Sequence, residues 1–269
     1  MRKTILFAAC LVFSMGTCSQ ARQPDAGRNP YEVKHSIYFE DNTLDEYVTS
    51  AWDSSYSNII NQARFSASGA MLEQVELTYN ERDGQITTKI TKDSESRMQS
   101  RVAYQYNKRG LLETEALRDR KNKPVSTYLY AYDDKGYRTE RTLKGQNDRL
   151  LAKTVYEVEQ GRIKKSETKD ASEIVISYTL YTYDPQGNLT KQEVFNGEGK
   201  LTSIINSVWQ NGKEVKNEML DPNGRQQLVV NKTYGQDGEL LVEEVANLQG
   251  ESKQILKYEY IYRPANKRS

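Results

Sequence analysis

Cysteine is almost absent from this sequence, with 2 copies in 269 residues, at positions 10 and 18. Residues 19–269 hold none, so no disulfide staples that part and its stability must be noncovalent. Histidine is scarcer, with His35 alone. A single histidine without cysteine cannot by itself complete a zinc site or a nucleophilic triad; a hydrogen-bonded structural role is expected for it. Charge of one sign is missing too, with 38 basic residues against 37 acidic. Such a balance leaves no electrostatic footprint for nucleic acid or an anionic membrane, and the terminal Lys267-Arg268 pair reads as a solvated tail. No glycine-rich phosphate loop or nucleophile elbow occurs, because the glycines are isolated and periodic. Apolar residues make up only 36% and mean hydropathy is −0.82, little for one compact core in a chain this long. No cofactor, no metal and no catalytic residue is expected, so the chain does not read as an enzyme.

The one long apolar run is Ile5 to Met15, preceded by Arg2 and Lys3. It is too short to span a bilayer, which takes about 20 residues, and reads as the core of a secretory signal over residues 1–21. Cys18 follows Ser14-Met15-Gly16-Thr17, which resembles a relaxed bacterial lipobox. The resemblance implies cleavage before Cys18 and lipid attachment there; a plain cut after Ala21 is the alternative. Residues 22–30 then form a polar linker and residues 31–69 an N-terminal cap or degenerate repeat. The expected location is outer membrane or cell surface, with periplasmic or secreted as the alternative. Contact with a membrane is expected only through the lipid anchor.

Tyrosine is abundant, 19 copies against 5 Phe and 2 Trp. It suits a pleated, half-buried surface with a polar tip toward water. Glycines 84, 110, 136, 161, 187, 212 and 238 recur at spacings of 25 or 26 residues, within turn motifs such as Asp133-Asp134-Lys135-Gly136 and Asp184-Pro185-Gln186-Gly187. Tyr106, Tyr132, Tyr183 and Tyr234 lie four before the glycine, and Ile86, Leu112, Ile163, Leu189 and Leu240 two after it. A second polar punctuation falls midway between glycines. Each unit therefore reads as strand, tight turn, strand, with glycine supplying the positive φ. Within strands the alternation has period two. It sets Tyr104 with Tyr106, Tyr130 with Tyr132, Tyr181 with Tyr183 and Tyr258 with Tyr260 on one face. The turn carboxylates Asp83, Asp133, Asp134, Asp184, Asp221 and Asp237 read as turn formers, since each copy lacks a second acid at ligand spacing.

The stretch Tyr181-Thr182-Tyr183-Asp184-Pro185-Gln186-Gly187-Asn188-Leu189-Thr190 resembles the tyrosine-aspartate (YD, or Rhs-type) repeat, YxYDxxGNLT. Tyr130 to Gly136 matches its first half, and the resemblance extends over about residues 70–262, within a repeat domain of 70–269. Long members of that family wind hairpins into hollow shells or surface ectodomains, and some are credited with carbohydrate binding. The resemblance implies hairpin geometry here; with some seven units and no appended toxin-like domain, an encapsulating role does not carry over. The expected fold is all-β, an antiparallel meander of tandem hairpins forming a twisted or curled sheet, with a β-sandwich or barrel as the alternative. An open meander would leave edges that invite pairing. The expected function is a non-catalytic cell-envelope binding or scaffold protein holding a glycan or an envelope or host protein. A purely structural spacer or assembly subunit is the alternative, and a carbohydrate-active enzyme stands further off. The candidate ligand face is Tyr104, Tyr106, Tyr130, Tyr132, Tyr181, Tyr183, Tyr258 and Tyr260.

Overall fold

The computed structural model describes residues 30–53 and 57–262. The signal sequence, Cys18, nearly all of the linker and the Lys267-Arg268 tail lie outside the described residues. Residues 31–69, expected to be a cap or degenerate repeat, contribute β1 (Pro30–Phe39), β2 (Leu44–Trp52) and β3 (Ile59–Ser66). The glycine-punctuated part begins with β4 (Met71–Tyr79), β5 (Ile86–Asp93), β6 (Met98–Tyr106), β7 (Leu112–Asp119), β8 (Pro124–Tyr132) and β9 (Arg138–Lys144). A single 3-10 turn at Gln146–Asp148 leads into β10 (Leu150–Glu159), β11 (Arg162–Asp170), β12 (Val175–Tyr183) and β13 (Leu189–Asn196). The chain ends with β14 (Leu201–Gln210), β15 (Lys213–Leu220), β16 (Gln226–Tyr234), β17 (Leu240–Asn247) and β18 (Ser252–Tyr262).

Each strand pairs antiparallel with its chain neighbours, and β1 also pairs antiparallel with β18, from Glu32 opposite Ile261 to Phe39 opposite Gln254. The result is one closed 18-stranded barrel. Between the curled sheet and the barrel the structure selects the barrel. The edges expected of an open meander are used up, because β1 is hydrogen-bonded on both sides. Physically, a sheet of this many twisted strands must curl. An even strand number then lets the first and last strands meet antiparallel.

Most of the hairpin turns share one construction, while Gln160-Gly161 and Asn211-Gly212 form two-residue turns with both φ positive. The Asp133 N–H donates to the Tyr137 carbonyl and the Gly136 N–H to the Asp133 carbonyl, a type I turn closed by a glycine at φ +89°. Its carboxylate accepts the Tyr137 N–H at 2.8 Å, as Asp184 does from Asn188 at 2.8 Å and Asp221 from Arg225 at 2.9 Å. These three turn carboxylates are thus occupied by backbone donors. A register shift precedes each of these turns, for instance between Ala131 and Tyr132 and between Thr182 and Tyr183. The bulge lets the tyrosine before the turn and the residue two after the glycine point to the same side.

The two faces of the wall differ sharply. The strand residues most open to solvent, such as Arg101, Glu157, Leu180, Val208, Lys257 and Glu259, all lie on one face, the outer one. That face carries cross-strand or same-strand ion pairs around the circumference, including Lys92–Glu76, Lys153–Glu140, Lys191–Glu193, Lys216–Glu218 and Lys253–Glu244. Exposed pairs of this kind contribute about 0–1 kcal/mol each. A lysine facing lipid at mid-bilayer would cost about 2–4 kcal/mol, so this wall has no lipid-facing band. The opposite face, lining the interior, holds the tyrosines and the buried trio Leu228, Val245 and Leu256, packed with Ile37, Met219 and Val230. That cluster covers only the sector from β15 to β1. Among the described residues no comparable cluster fills the rest.

Candidate functional site

A circular barrel of this strand number measures roughly 35 Å across its backbone, given about 4.8 Å between strands and a tilt near 40°. Inward side chains cannot close such a space, so the interior wall is the candidate site. All eight tyrosines of the predicted ligand face project from it and are half-buried. The sequence reading placed them on a broad sheet surface; the structure places them on the concave side of a closed wall.

The tyrosines fall into two tiers. At the rim that carries the glycine turns, each ring is anchored to the neighbouring strand. Tyr132 donates its hydroxyl to the Leu112 carbonyl at 2.8 Å, Tyr183 to Ile163 at 2.9 Å and Tyr260 to Leu240 at 2.9 Å. Trp209 does the same through its indole N–H to Leu189 at 2.9 Å. Tyr106 belongs to this tier by position. These rings close the rim and satisfy backbone acceptors there, which is structural work. Burial pushes the Tyr260 hydroxyl up to about 12, with Tyr262 adding to it.

One pair further in, the wall alternates tyrosine with a polar or charged partner. Tyr104 stands opposite Glu115, Tyr130 opposite Arg141, Tyr156 opposite Ser166, Tyr181 opposite Gln192, Lys232 opposite Glu243 and Tyr258 opposite His35. Diagonal hydrogen bonds tie this tier together. Tyr130 donates to Glu115 at 3.0 Å, Tyr258 to Glu243 at 2.7 Å, and the Tyr181 and Ser166 hydroxyls meet at 3.0 Å. Burial, with Glu115 adding to it, holds the Tyr104 hydroxyl up at about 12, so these phenols stay neutral donors. His35, expected to be structural, packs its ring 5.4 Å from that of Tyr258, and burial lowers its pKa, which favours neutral imidazole.

Two inward residues went unremarked in the sequence reading although the signal was there. The position two after the turn glycine is aliphatic in five units; in the other two it is Arg138 and Glu214. Glu214 accepts from Lys232 at 2.6 Å. Burial alone would raise its pKa, but the hydrogen bonds from Lys232 and Ser207 outweigh that and leave it below the ordinary 4.5. Arg138 lies over the Tyr130 ring, 4.7 Å from its centroid, and Arg141 over Tyr128 at 5.2 Å. The wall thus offers aromatic faces, neutral hydroxyl donors and stacked guanidinium groups in one sector, β8 to β12.

No protein-family model and no curated protein matches this chain. Among solved structures it is similar to a porin-like protein from Bacteroides uniformis, at 9% identity over 86% of this chain and 97% of that one, with a TM-score of 0.44. A porin-like protein from Bacteroides vulgatus aligns at 13% identity over 84% of this chain and 97% of that one, TM-score 0.36. The TcdB2-TccC3-Cdc42 structure aligns at 13% identity over 84% of this chain, which spans 16% of that one, TM-score 0.35. The barrel rests on this chain's own strand pairing, and its function on the site alone.

Proposed function

We propose that this chain is an exported, non-catalytic binding protein of the cell envelope that takes a glycan against the tyrosine-lined inner wall of its barrel. The observation that carries the reading is the inner wall itself, where tyrosine faces and neutral hydroxyl donors stand beside charged groups already held by hydrogen bonds. Tyrosine faces pack against sugar rings at little entropic cost, and their hydroxyls hydrogen-bond to sugar hydroxyls. The inner carboxylates are engaged already, Glu115 by Tyr130, Glu243 by Tyr258 and Glu214 by Lys232, which argues for recognition over acid–base chemistry. Export by the signal sequence and anchoring through Cys18 belong to the same proposal.

The test is calorimetric titration of the mature protein with neutral hexose oligosaccharides. Saturable binding, weakened severalfold by Tyr104→Ala and Tyr181→Ala and untouched by Tyr178→Ala on the outer face, is expected. Absence of binding, or binding indifferent to the inner substitutions, rejects the reading. A spacer with no ligand is the second reading, favoured by the rim tyrosines, whose hydroxyls are spent on backbone carbonyls.

A further inference from the structure

The repeat carries a coupled device at the tyrosine rim, and at one place the device is missing. In the regular case the residue two after a turn glycine offers its carbonyl, and an aromatic residue twenty positions later donates to it. Leu112 and Tyr132, Ile163 and Tyr183, and Leu189 and Trp209 are such pairs. At the intervening unit the two positions hold Arg138 and Val158. An aliphatic side chain has given way to a guanidinium, and an aromatic donor to a side chain with neither ring nor N–H. Both positions sit on the inner face, Arg138 opposite Tyr132 and Val158 opposite Ile163. The aromatic rim is therefore interrupted between Tyr132 and Tyr183. Past Val158 a depression of about 350 Å³ runs from Glu159, Gln160, Arg162 and Lys164 to Tyr181, Thr182 and Tyr183, and neither Arg138 nor Val158 lines it.

Arg138 lies on the face of the Tyr130 ring, 4.7 Å from its centroid, and has no charged partner among the described residues. The other charged exception, Glu214, has Lys232, and Glu115 is taken by the Tyr130 hydroxyl. Arg138 makes no hydrogen bond or ion pair among the described residues, and its Nε is buried without a partner. A buried, unanswered guanidinium nitrogen is destabilising, and an aliphatic residue serves this position in five other units. Stacking on Tyr130 holds the guanidinium in place, but no carboxylate among the described residues balances its charge.

We infer that Arg138, beside the gap at Val158, is the anion-recognition point of the inner wall, and that its ligand is a carboxylate-bearing saccharide of the uronic acid type. A carboxylate accepts the parallel N–H donors of a guanidinium in a bidentate pair, while the sugar ring rests on the neighbouring tyrosine faces. A neutral sugar leaves the charge of Arg138 unbalanced. The inference rests on the saccharide-binding reading above and adds the sign and place of the charge.

Two substitutions restore the repeat and so should preserve the fold: Arg138→Leu supplies the aliphatic residue, and Val158→Tyr refills the rim. The probes are trigalacturonate and a neutral galactose trisaccharide, titrated into the mature protein at low and high salt. The expected result is tighter binding of trigalacturonate, weakened by salt, with affinity falling about tenfold or more in Arg138→Leu, as loss of a charge-assisted hydrogen bond implies. Val158→Tyr should weaken it too, and Arg138→Leu should weaken trigalacturonate by a larger factor than the neutral trisaccharide. Equal affinities for the two sugars, or an unchanged trigalacturonate affinity in Arg138→Leu, overturns the inference while leaving the saccharide reading standing. Failure of both sugars to bind removes both.

Discussion

At the scale of single residues, the tyrosines divide by what their hydroxyls do. Tyr183 donates to the Ile163 carbonyl at 2.9 Å and Tyr132 to Leu112 at 2.8 Å, so each supplies a rim acceptor with its partner. Tyr183→Phe keeps the ring and deletes the bond. It should lower stability by about 1 kcal/mol in urea unfolding, with no effect on sugar binding. Tyr181→Phe, whose hydroxyl meets Ser166 in the inner tier, should instead weaken binding more than it weakens the fold. Equal profiles for the two substitutions would erase the distinction between the tiers. The sequence made the shared face legible, because side chains two apart in a strand must lie on one side. It did not separate the tiers, since that depends on the bulge before each turn, which re-aims the last tyrosine. Arg138 and Glu214 were legible as breaks in the aliphatic rule. Only the inward direction of the strand made those breaks meaningful.

At the scale of the hairpin, aspartate and glycine do separate work. Asp184 is held below the ordinary 3.8 by its side-chain hydrogen bond from Asn188 and by backbone donors, and Asp119 by the Lys123 and Lys121 N–H groups and charges. A carboxyl depressed in the folded state favours folding above its ordinary pKa, and that contribution is lost as pH falls through the folded value. The urea midpoint should therefore drop between neutral pH and about pH 3. In the double variant Asp119→Asn, Asp184→Asn, which keeps the turn acceptor but cannot titrate, that drop should be shallower. Identical pH slopes would show that these turns do not set acid stability. Gly187 is constrained by its backbone, with φ at +93°, while the Arg162 guanidinium beside it ends a flexible side chain that can give way. Gly187→Ala should lose roughly 1–2 kcal/mol from backbone strain alone, measured by the same unfolding curves. The turns and their period were the most readable part of the sequence, because turn chemistry is local. The direction of the curl was not, since the outer face also carries aromatic residues, among them Tyr178 stacked 4.7 Å from Phe195.

At the scale of the whole molecule, closure is a matter of parity. Successive strands of a meander alternate direction, so β2 and β18 run parallel, and β1 joins them by being antiparallel to each. Neither the glycine period nor the alternation reveals this, because the closing strand comes from the stretch that shows the repeat least clearly. Two deletions separate closure from mere strand number. Removing residues 30–42 takes away β1 alone and leaves 17 strands, whose ends could meet only as a parallel pair out of keeping with the rest of the sheet. Two unsatisfied edges should result, and edges recruit other chains. Size-exclusion chromatography with light scattering should then show association, where the intact protein should run as a monomer, its outer face being ion-paired. Removing residues 111–136 instead excises one whole unit and joins Gly110 to Tyr137. That keeps an even count of 16, a number at which barrels still enclose a channel. This larger deletion should stay monomeric and resist protease. If it associates as readily as the β1 deletion, closure depends on the particular strands and not on their parity.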